Sequence, residues 1–119
     1  MINIVLVDDD NVSNFVTEKF IHKSVKEPCK VFKFSSATEA LKEMVNIKPN
    51  YLFIDLVMPQ MTGWDFLERL NEAEIKSEVY ILSGSVDQSD YDKMTKYKTV
   101  KKFLPKISVR ESLPEIFRN

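Results

Sequence analysis

Short runs of strand-forming residues alternate along this chain with segments whose apolar residues recur at helical spacing. The runs predict five strands, at Ile2–Val7, Val31–Phe34, Tyr51–Ile54, Val79–Leu82 and Lys102–Leu104. Each is followed by a segment with apolar residues three and four positions apart, the spacing of an amphipathic helix. Five β-α units in succession predict an α/β fold, with a five-stranded parallel sheet doubly wound by helices on both faces.

Polar residues mark where several of the predicted helices begin. Asp10 or Asn11 is a plausible cap for the first helix, and Asp87 opens the fourth. Ser36 caps the second helix, and Glu39 stands three residues later, as in a capping box. Pro114 would remove a hydrogen bond from the last helix, so that helix is predicted to start late, near Glu111 or Ser112, or to bend.

Composition indicates one globular domain spanning residues 1–119, with 44% hydrophobic and 29% charged residues. The net charge of −1 gives no electrostatic case for nucleic acid or an anionic membrane as a partner. Lys93–Lys102 contains five lysines and is interpreted as a solvated helix face and loop. The lone Cys29 excludes an internal disulfide and suits a reducing compartment, so a cytoplasmic protein is expected. No apolar run has the roughly 20 residues that span a bilayer.

The chemistry of the chain concentrates where the predicted strands end. The first strand stops at Asp8 and Asp9, and the third stops at Asp55. The carboxyl ends of parallel strands share one edge of the sheet, where open α/β folds place their sites. Carboxylates gathered there repel one another unless a cation lies between them. A divalent metal and chemistry at Asp55 are therefore expected.

Two further polar residues reach the same edge in this interpretation. Ser83 directly follows the fourth strand, and Lys106 comes two residues after the fifth. Singly, each has an ordinary structural explanation as a turn residue or a solvated charge. Together, the acids, the hydroxyl and the lysine in one register indicate a shared site.

These segments resemble the receiver domains of two-component response regulators along the full chain. The resemblance rests on IVLVDDD at 4–10, FIDLVMPQMTGWDFL at 53–67, VYILSGS at 79–85 and FLPKI at 103–107. It implies a flavodoxin-like fold and a single-domain, chemotaxis-type regulator. Such a protein signals rather than catalysing turnover, so it is not expected to be an enzyme.

The resemblance also implies a role for each matching position. Asp55 would be the phosphoacceptor, and Mg²⁺ would be held by Asp8, Asp9, Asp55 and the backbone carbonyl of Val57. Lys106 would bind phosphate and assist the transfer at Asp55. Ser83 would be the switch hydroxyl and Phe103 the aromatic residue that moves with it. The matched positions are Asp8, Asp9, Asp55, Val57, Ser83, Phe103 and Lys106.

The partners implied by the resemblance are proteins. A sensor histidine kinase or a histidine phosphotransfer protein would donate phosphate, and a downstream protein target would read the fourth helix, fifth strand and last helix. A phosphorylation-dependent dimer is also compatible with it. The competing interpretation is a receiver-like scaffold that does not depend on phosphorylation, and the intact acids, hydroxyl and lysine argue against it. An aspartate-nucleophile phosphatase is disfavoured, since Val57 stands where a second acid would be needed.

Three details carry separate expectations. Ile107 stands where most receivers have proline after the lysine, and a trans Lys106–Ile107 bond is favoured because a non-proline cis bond costs about 2.5–4 kcal/mol. Gly63 is expected to provide a positive φ angle near the site. Trp64, at the start of the third helix, is expected to be partly exposed.

Overall fold

The computed structural model describes residues 1–84 and 86–118 and contains one parallel five-stranded sheet. The strands are β1 (Ile2–Val7), β2 (Cys29–Phe34), β3 (Tyr51–Asp55), β4 (Glu78–Ser83) and β5 (Val100–Pro105). Their order in the sheet is β2-β1-β3-β4-β5, and every neighbouring pair is parallel. The predicted fold class is confirmed, although β2 and β5 begin two residues earlier than predicted.

Within these residues, five α-helices connect or follow the strands. They are α1 (Asn11–Ser24), α2 (Ala37–Ile47), α3 (Gly63–Glu72), α4 (Gln88–Met94) and α5 (Val109–Ile116). Asp10, Ser36 and Asp87 cap α1, α2 and α4 through side-chain oxygens, as expected. Thr62 and Asp65 form a reciprocal capping box at the start of α3.

Alternating strand residues supply two hydrophobic cores, one on each face of the sheet. Val5, Leu52 and Ile81 point to the face covered by α2, α3 and the α4 region. Leu6 and Phe53 point to the opposite face, which α1 and α5 cover. Both faces of the three central strands are thus buried, which explains why their sequences are continuously apolar.

The start of α5 differs from the prediction. A short 3₁₀ turn at Lys106–Ser108 leads directly into α5 at Val109, two or three residues before the expected start near Glu111 or Ser112. Pro114 lies inside the helix and leaves the carbonyl of Arg110 without its usual amide partner. Arg110 is exposed, so water can replace that bond. The early start also lets Val109 and Leu113 pack into the core.

The backbone follows the expected path after Lys106. The described residues contain no cis peptide bond, so Lys106–Ile107 is trans, as favoured from the sequence. Two non-glycine residues have positive φ angles, Lys48 at 50° and Glu74 at 56°. They follow the ends of α2 and α3, at the amino edge of the sheet, where helices often end on a left-handed residue.

Candidate functional site

The carboxyl edge of the sheet brings three acids together. One ligand atom from each of Asp8, Asp9 and Asp55 lies within 4.8 Å of the others. β1 ends at Val7 and β3 ends at Asp55, and the two strands are adjacent. The sheet topology therefore delivers the acids to one point, as their positions at strand ends predicted.

Asp8 is the most deeply buried acid of this cluster, at 1% exposure. Its Oδ1 accepts a hydrogen bond from the Asp10 amide at 2.9 Å. In the described part of the chain, its Oδ2 has no hydrogen-bond donor and faces the Lys106 ammonium as an ion pair at 2.9 Å. A buried carboxylate oxygen satisfied only by ionic contact is well placed to accept a cation.

Asn14 holds the Asp8 loop from below, a role that the sequence interpretation missed. Its Nδ2 donates to the backbone carbonyls of Asp8 at 3.0 Å and Phe34 at 3.2 Å. The side chain is buried on α1, together with Thr17 and Ile21. The apolar residues Val12, Phe15 and Val16 of α1 are exposed instead, so the sequence offered no signal for a buried amide at Asn14.

Lys106 reaches the acids from the end of β5. Its Nζ lies 3.3 Å from Asp55 Oδ2 and 2.9 Å from Asp8 Oδ2. The 3₁₀ turn that begins at Lys106 follows β5 directly and places the residue at the carboxyl edge. The side chain therefore points into the cluster, as the sequence predicted.

The electrostatics of Asp55 and Lys106 depend on burial and on each other. Burial raises the pKa of Asp55 above its ordinary value, the Lys106 ammonium opposes that shift, and the Asp8 carboxylate adds to it. Burial disfavours the charged form of Lys106, but Asp8 and Asp55 outweigh burial and raise its pKa. The lysine therefore remains a cation at neutral pH.

Val57 presents its backbone to Asp55 and its side chain to solvent. The Val57 amide donates to Asp55 Oδ1 at 3.3 Å, and the residue is 77% exposed. Oδ1 of Asp55 thus contacts a backbone donor, whereas Oδ2 contacts the Lys106 ammonium. The expected contribution of the Val57 carbonyl to a metal site stays a prediction.

Ser83 ends β4 and is buried at 6% exposure. It pairs in register with Pro105, the last residue of β5. Pro105 directly precedes Lys106 in the chain, so Ser83 lies close to the start of the lysine turn. Asp55 pairs with Leu82 in the same sheet, one residue before Ser83. The hydroxyl-bearing residue therefore lies on the strand between the acid and the lysine.

Phe103 lies between two other aromatic rings rather than at an open edge. Its ring meets Tyr91 at 5.0 Å and Trp64 at 6.2 Å, both edge-on.

Trp64 also stacks on Tyr97 and donates from Nε1 to Asp90 Oδ1 at 3.0 Å. The expectation that Trp64 is partly exposed is wrong, since it is 8% exposed. The hydrogen bond to Asp90 satisfies its indole N–H and permits burial.

Gly63 serves the site by allowing close approach, and the expected positive φ is wrong. A Cβ at Gly63 would lie 2.7 Å from the carbonyl oxygen of Asp55 and 3.0 Å from Cα of Leu56. The Gly63 amide donates to the Leu56 carbonyl at 2.9 Å. The glycine lets the start of α3 pack against the loop that carries Asp55.

Comparison with known proteins gives a consistent family assignment. The family model described as "Response regulator receiver domain" matches residues 4–118. A protein-glutamate methylesterase/protein-glutamine glutaminase of Myxococcus xanthus is 33% identical over 86 residues, covering 72% of this chain and 25% of that protein. A transcription factor of Candida albicans is 25% identical over 88 residues, covering 74% of this chain and 15% of that protein. The chain thus spans a quarter or less of these two relatives.

Solved structures share the fold. A two-component response regulator from Legionella pneumophila superposes with a TM-score of 0.84 at 22% identity, covering 98% of this chain and 95% of that one.

No helix in the described residues combines the length and the apolar content that crossing a membrane requires.

Proposed function

This chain belongs to the receiver-domain family of response regulators, and from that premise we propose that it takes a phosphoryl group on Asp55 from a histidine kinase or a histidine phosphotransfer protein. The observation that carries the proposal is the ion-pair geometry of Lys106. Its ammonium lies 3.3 Å from the Asp55 carboxylate and 2.9 Å from that of Asp8, among three converging acids.

The transfer itself is a displacement at phosphorus. A carboxylate oxygen of Asp55 forms the new P–O bond while the P–N bond of the phosphohistidine breaks, and the electron pair leaves with the imidazole nitrogen. Lys106 compensates the negative charge of the phosphoryl oxygens as they approach Asp55. Asp55 is 6% exposed, so its carboxylate is only weakly solvated before the transfer.

Asp8, Asp9 and Asp55 suit Mg²⁺, a hard cation that prefers carboxylate oxygens. The buried Oδ2 of Asp8, with its single ionic contact, is the observation that fits a second cation at this point. Bound there, Mg²⁺ would align and neutralise the phosphoryl oxygens. The Val57 carbonyl is proposed to complete the protein ligands.

Exposed apolar side chains around the acids suit docking of a phosphodonor. Val12 and Phe15 on the first turns of α1 are 70% and 63% exposed, and Ile107, next to Lys106, is 98% exposed. Val57 adds a fourth such side chain two residues after Asp55. Exposed apolar side chains in the segments next to the acids and the lysine suit a protein contact.

The signal is proposed to leave through the α4, β5 and α5 surface to a downstream protein. A phosphoryl group on Asp55 offers new acceptor oxygens within reach of the β4 end that carries Ser83. Movement of Ser83 would release or draw in Phe103, which contacts Tyr91 on α4 and Trp64 on α3. Phosphorylation-dependent dimerisation through the same surface and action in the cytoplasm are parts of this proposal.

The test is Mg²⁺-dependent phosphorylation by a small acyl-phosphate donor, read as a gain of one phosphoryl group by intact mass. The wild type should be labelled only with Mg²⁺ present, and Asp55→Asn should not be labelled. Asp10→Asn is the matched control, because Asn caps a helix as well as Asp does. An unlabelled wild type that still binds its partners would instead support the phosphorylation-independent scaffold.

A further inference from the structure

A groove of about 1270 Å³ runs along the amino edge of the sheet, opposite the acids. Its walls come from the α2–β3 connection, the C-terminal half of α3 with the segment leading into β4, and the α4–β5 connection. None of the residues of the carboxyl-edge site lines it. The groove is therefore a separate feature of the molecule.

Five lysines and two glutamates line the groove, which gives it a net positive charge. The lysines are Lys48, Lys76, Lys96, Lys98 and Lys101, and the glutamates are Glu74 and Glu78. None of these lysines forms an ion pair with any residue that the structure describes. Three of them belong to the basic run expected to be merely solvated, but the fold joins that run to two lysines more than 15 residues away.

Favourable interactions with helix dipoles explain the positions of only some of these lysines. The C-terminal ends of α2, α3 and α4 carry partial negative charge at this edge, and Lys48, Lys76 and Lys96 lie close to those ends in sequence. Lys98 and Lys101 follow α4 at greater distance and gain little from any dipole, which fades within one turn. A surplus of positive charge thus remains.

The floor of the groove is apolar and rigidly held. Leu67, Leu70 and Val79 are buried beneath it, with exposures of 3%, 4% and 1%, and the half-buried Ile75 and Tyr97 offer apolar surface to a ligand. Two connections are tied together by hydrogen bonds, Glu78 N to Asn50 O at 3.0 Å and Ser77 Oγ to Pro49 O at 2.8 Å. A preformed groove loses little conformational entropy when a ligand enters.

We propose that this groove binds an acidic peptide segment of a partner protein, with carboxylates on the lysine rim and an apolar side chain on the floor. The argument is charge complementarity over a volume larger than typical small-molecule pockets of about 300–1,000 Å³. Lys48 strengthens it, because a left-handed helix end normally carries glycine and here carries a rim lysine. This surface acts independently of phosphorylation at Asp55.

Nucleic acid suits the groove less well. Densely charged phosphates prefer arginine forks and helix N-termini, whereas the described residues that line this groove include no arginine and face helix C-termini. Glu74 and Glu78 would further repel a continuous phosphate backbone. An acidic peptide fits better, because its separated carboxylates can reach the rim lysines while its apolar side chains contact the floor of the groove.

The test uses a fluorescein-labelled ten-residue peptide of alternating glutamate and leucine, titrated with the full chain and read by fluorescence anisotropy. Lys96→Gln/Lys98→Gln should weaken binding roughly fivefold, the range expected for two exposed ion pairs. Lys93→Gln/Lys102→Gln removes the same charge from the same basic run outside the groove and should change binding by less than twofold. Equal losses in both double variants would overturn the proposal.

Two glycine variants separate charge from backbone strain. Lys48→Gly and Glu74→Gly both relieve a left-handed residue beside the groove, so their effects on folding are similar. The first should weaken peptide binding and the second should strengthen it. Effects of the same sign would contradict electrostatic recognition.

Further titrations with other ligands identify the class of molecule that the groove binds. A glutamate–serine peptide of equal charge should bind more weakly than the glutamate–leucine peptide, and equal affinities would refute the apolar floor. A ten-nucleotide oligouridine should bind more weakly, and tighter binding would assign the groove to nucleic acid. Asp55→Asn should leave peptide binding unchanged, so the result stands apart from any failure of phosphorylation.

Discussion

The two edges of the sheet hold their charges in different environments. At the carboxyl edge, Asp8 and Asp55 are buried within contact of a single lysine. At the amino edge, the groove lysines are exposed and make no ion pair with the described residues. Desolvation makes each carboxyl-edge charge depend on its neighbours. Exposed charges instead add small, salt-screened contributions to a common field. The buried edge suits the chemistry proposed for Asp55, and the exposed edge suits the proposed contact with a peptide.

The largest test of this contrast removes one lysine from each edge. Lys106→Met leaves buried Asp8 without its cation and should lower the free energy of unfolding by about 2–3 kcal/mol in metal-free buffer. Lys98→Met at the exposed edge should cost less than about 0.5 kcal/mol. Urea unfolding with EDTA measures both. Equal costs would show that burial does not distinguish the edges.

Metal should stabilise the protein from the carboxyl edge alone. At ten times its Kd, Mg²⁺ should add about 1.4 kcal/mol to the free energy of unfolding of the wild type. Asp9→Asn should lose most of that gain because it removes an acid of the cluster. Asp10→Asn keeps the helix cap and should retain the gain. Thermal unfolding at several Mg²⁺ concentrations provides the comparison, and an equal gain in both variants would place the ion elsewhere.

The stability of Asp55→Asn relative to the wild type should depend on pH. Burial raises the folded-state pKa of Asp55, so the folded state holds a proton that the unfolded state releases. The ionised carboxyl costs nothing below its unfolded pKa, and the full cost is present once the pH exceeds the folded pKa. Asp55→Asn should therefore be more stable than the wild type at neutral pH without metal. That advantage should vanish in acid, and a constant difference across pH would contradict it.

The smallest effect belongs to the amino edge. Lys48→Gly removes a left-handed lysine but adds freedom to the unfolded chain, so the two changes partly cancel. A net stabilisation of about 0.5 kcal/mol is expected, with the same value for Glu74→Gly. Paired urea unfolding curves give the difference, and destabilisation by about 1 kcal/mol or more would mean that these side chains hold the helix ends.

Local patterns predicted the carboxyl edge well because most residues of the site lie at the end of a strand or directly after it. Asp8, Asp55 and Ser83 needed only the strand ends and the parallel order of the sheet. The start of α5 was harder, since the 3₁₀ turn after Lys106 has no clear sequence signal and Pro114 favoured a later start. Packing of Val109 and Leu113 against the sheet decided it.

The amino edge could not be predicted because its parts are distant in the chain. Lys48 and Lys76 meet the Lys96–Lys101 segment only after three connections fold to one edge. The basic run alone had the ordinary interpretation of a solvated face. Asn14 and the Trp64–Asp90 hydrogen bond likewise depend on contacts between elements that no local pattern encodes.

Trp64 is the single tryptophan of the chain, and its indole touches Phe103, stacks on Tyr97 and is hydrogen-bonded to Asp90. Its emission therefore reports on one place, where α3, α4 and β5 meet. Any rearrangement of Phe103 alters the surroundings of that indole directly. The intrinsic fluorescence of Trp64 can therefore follow the conformational state of the protein in real time without an attached dye.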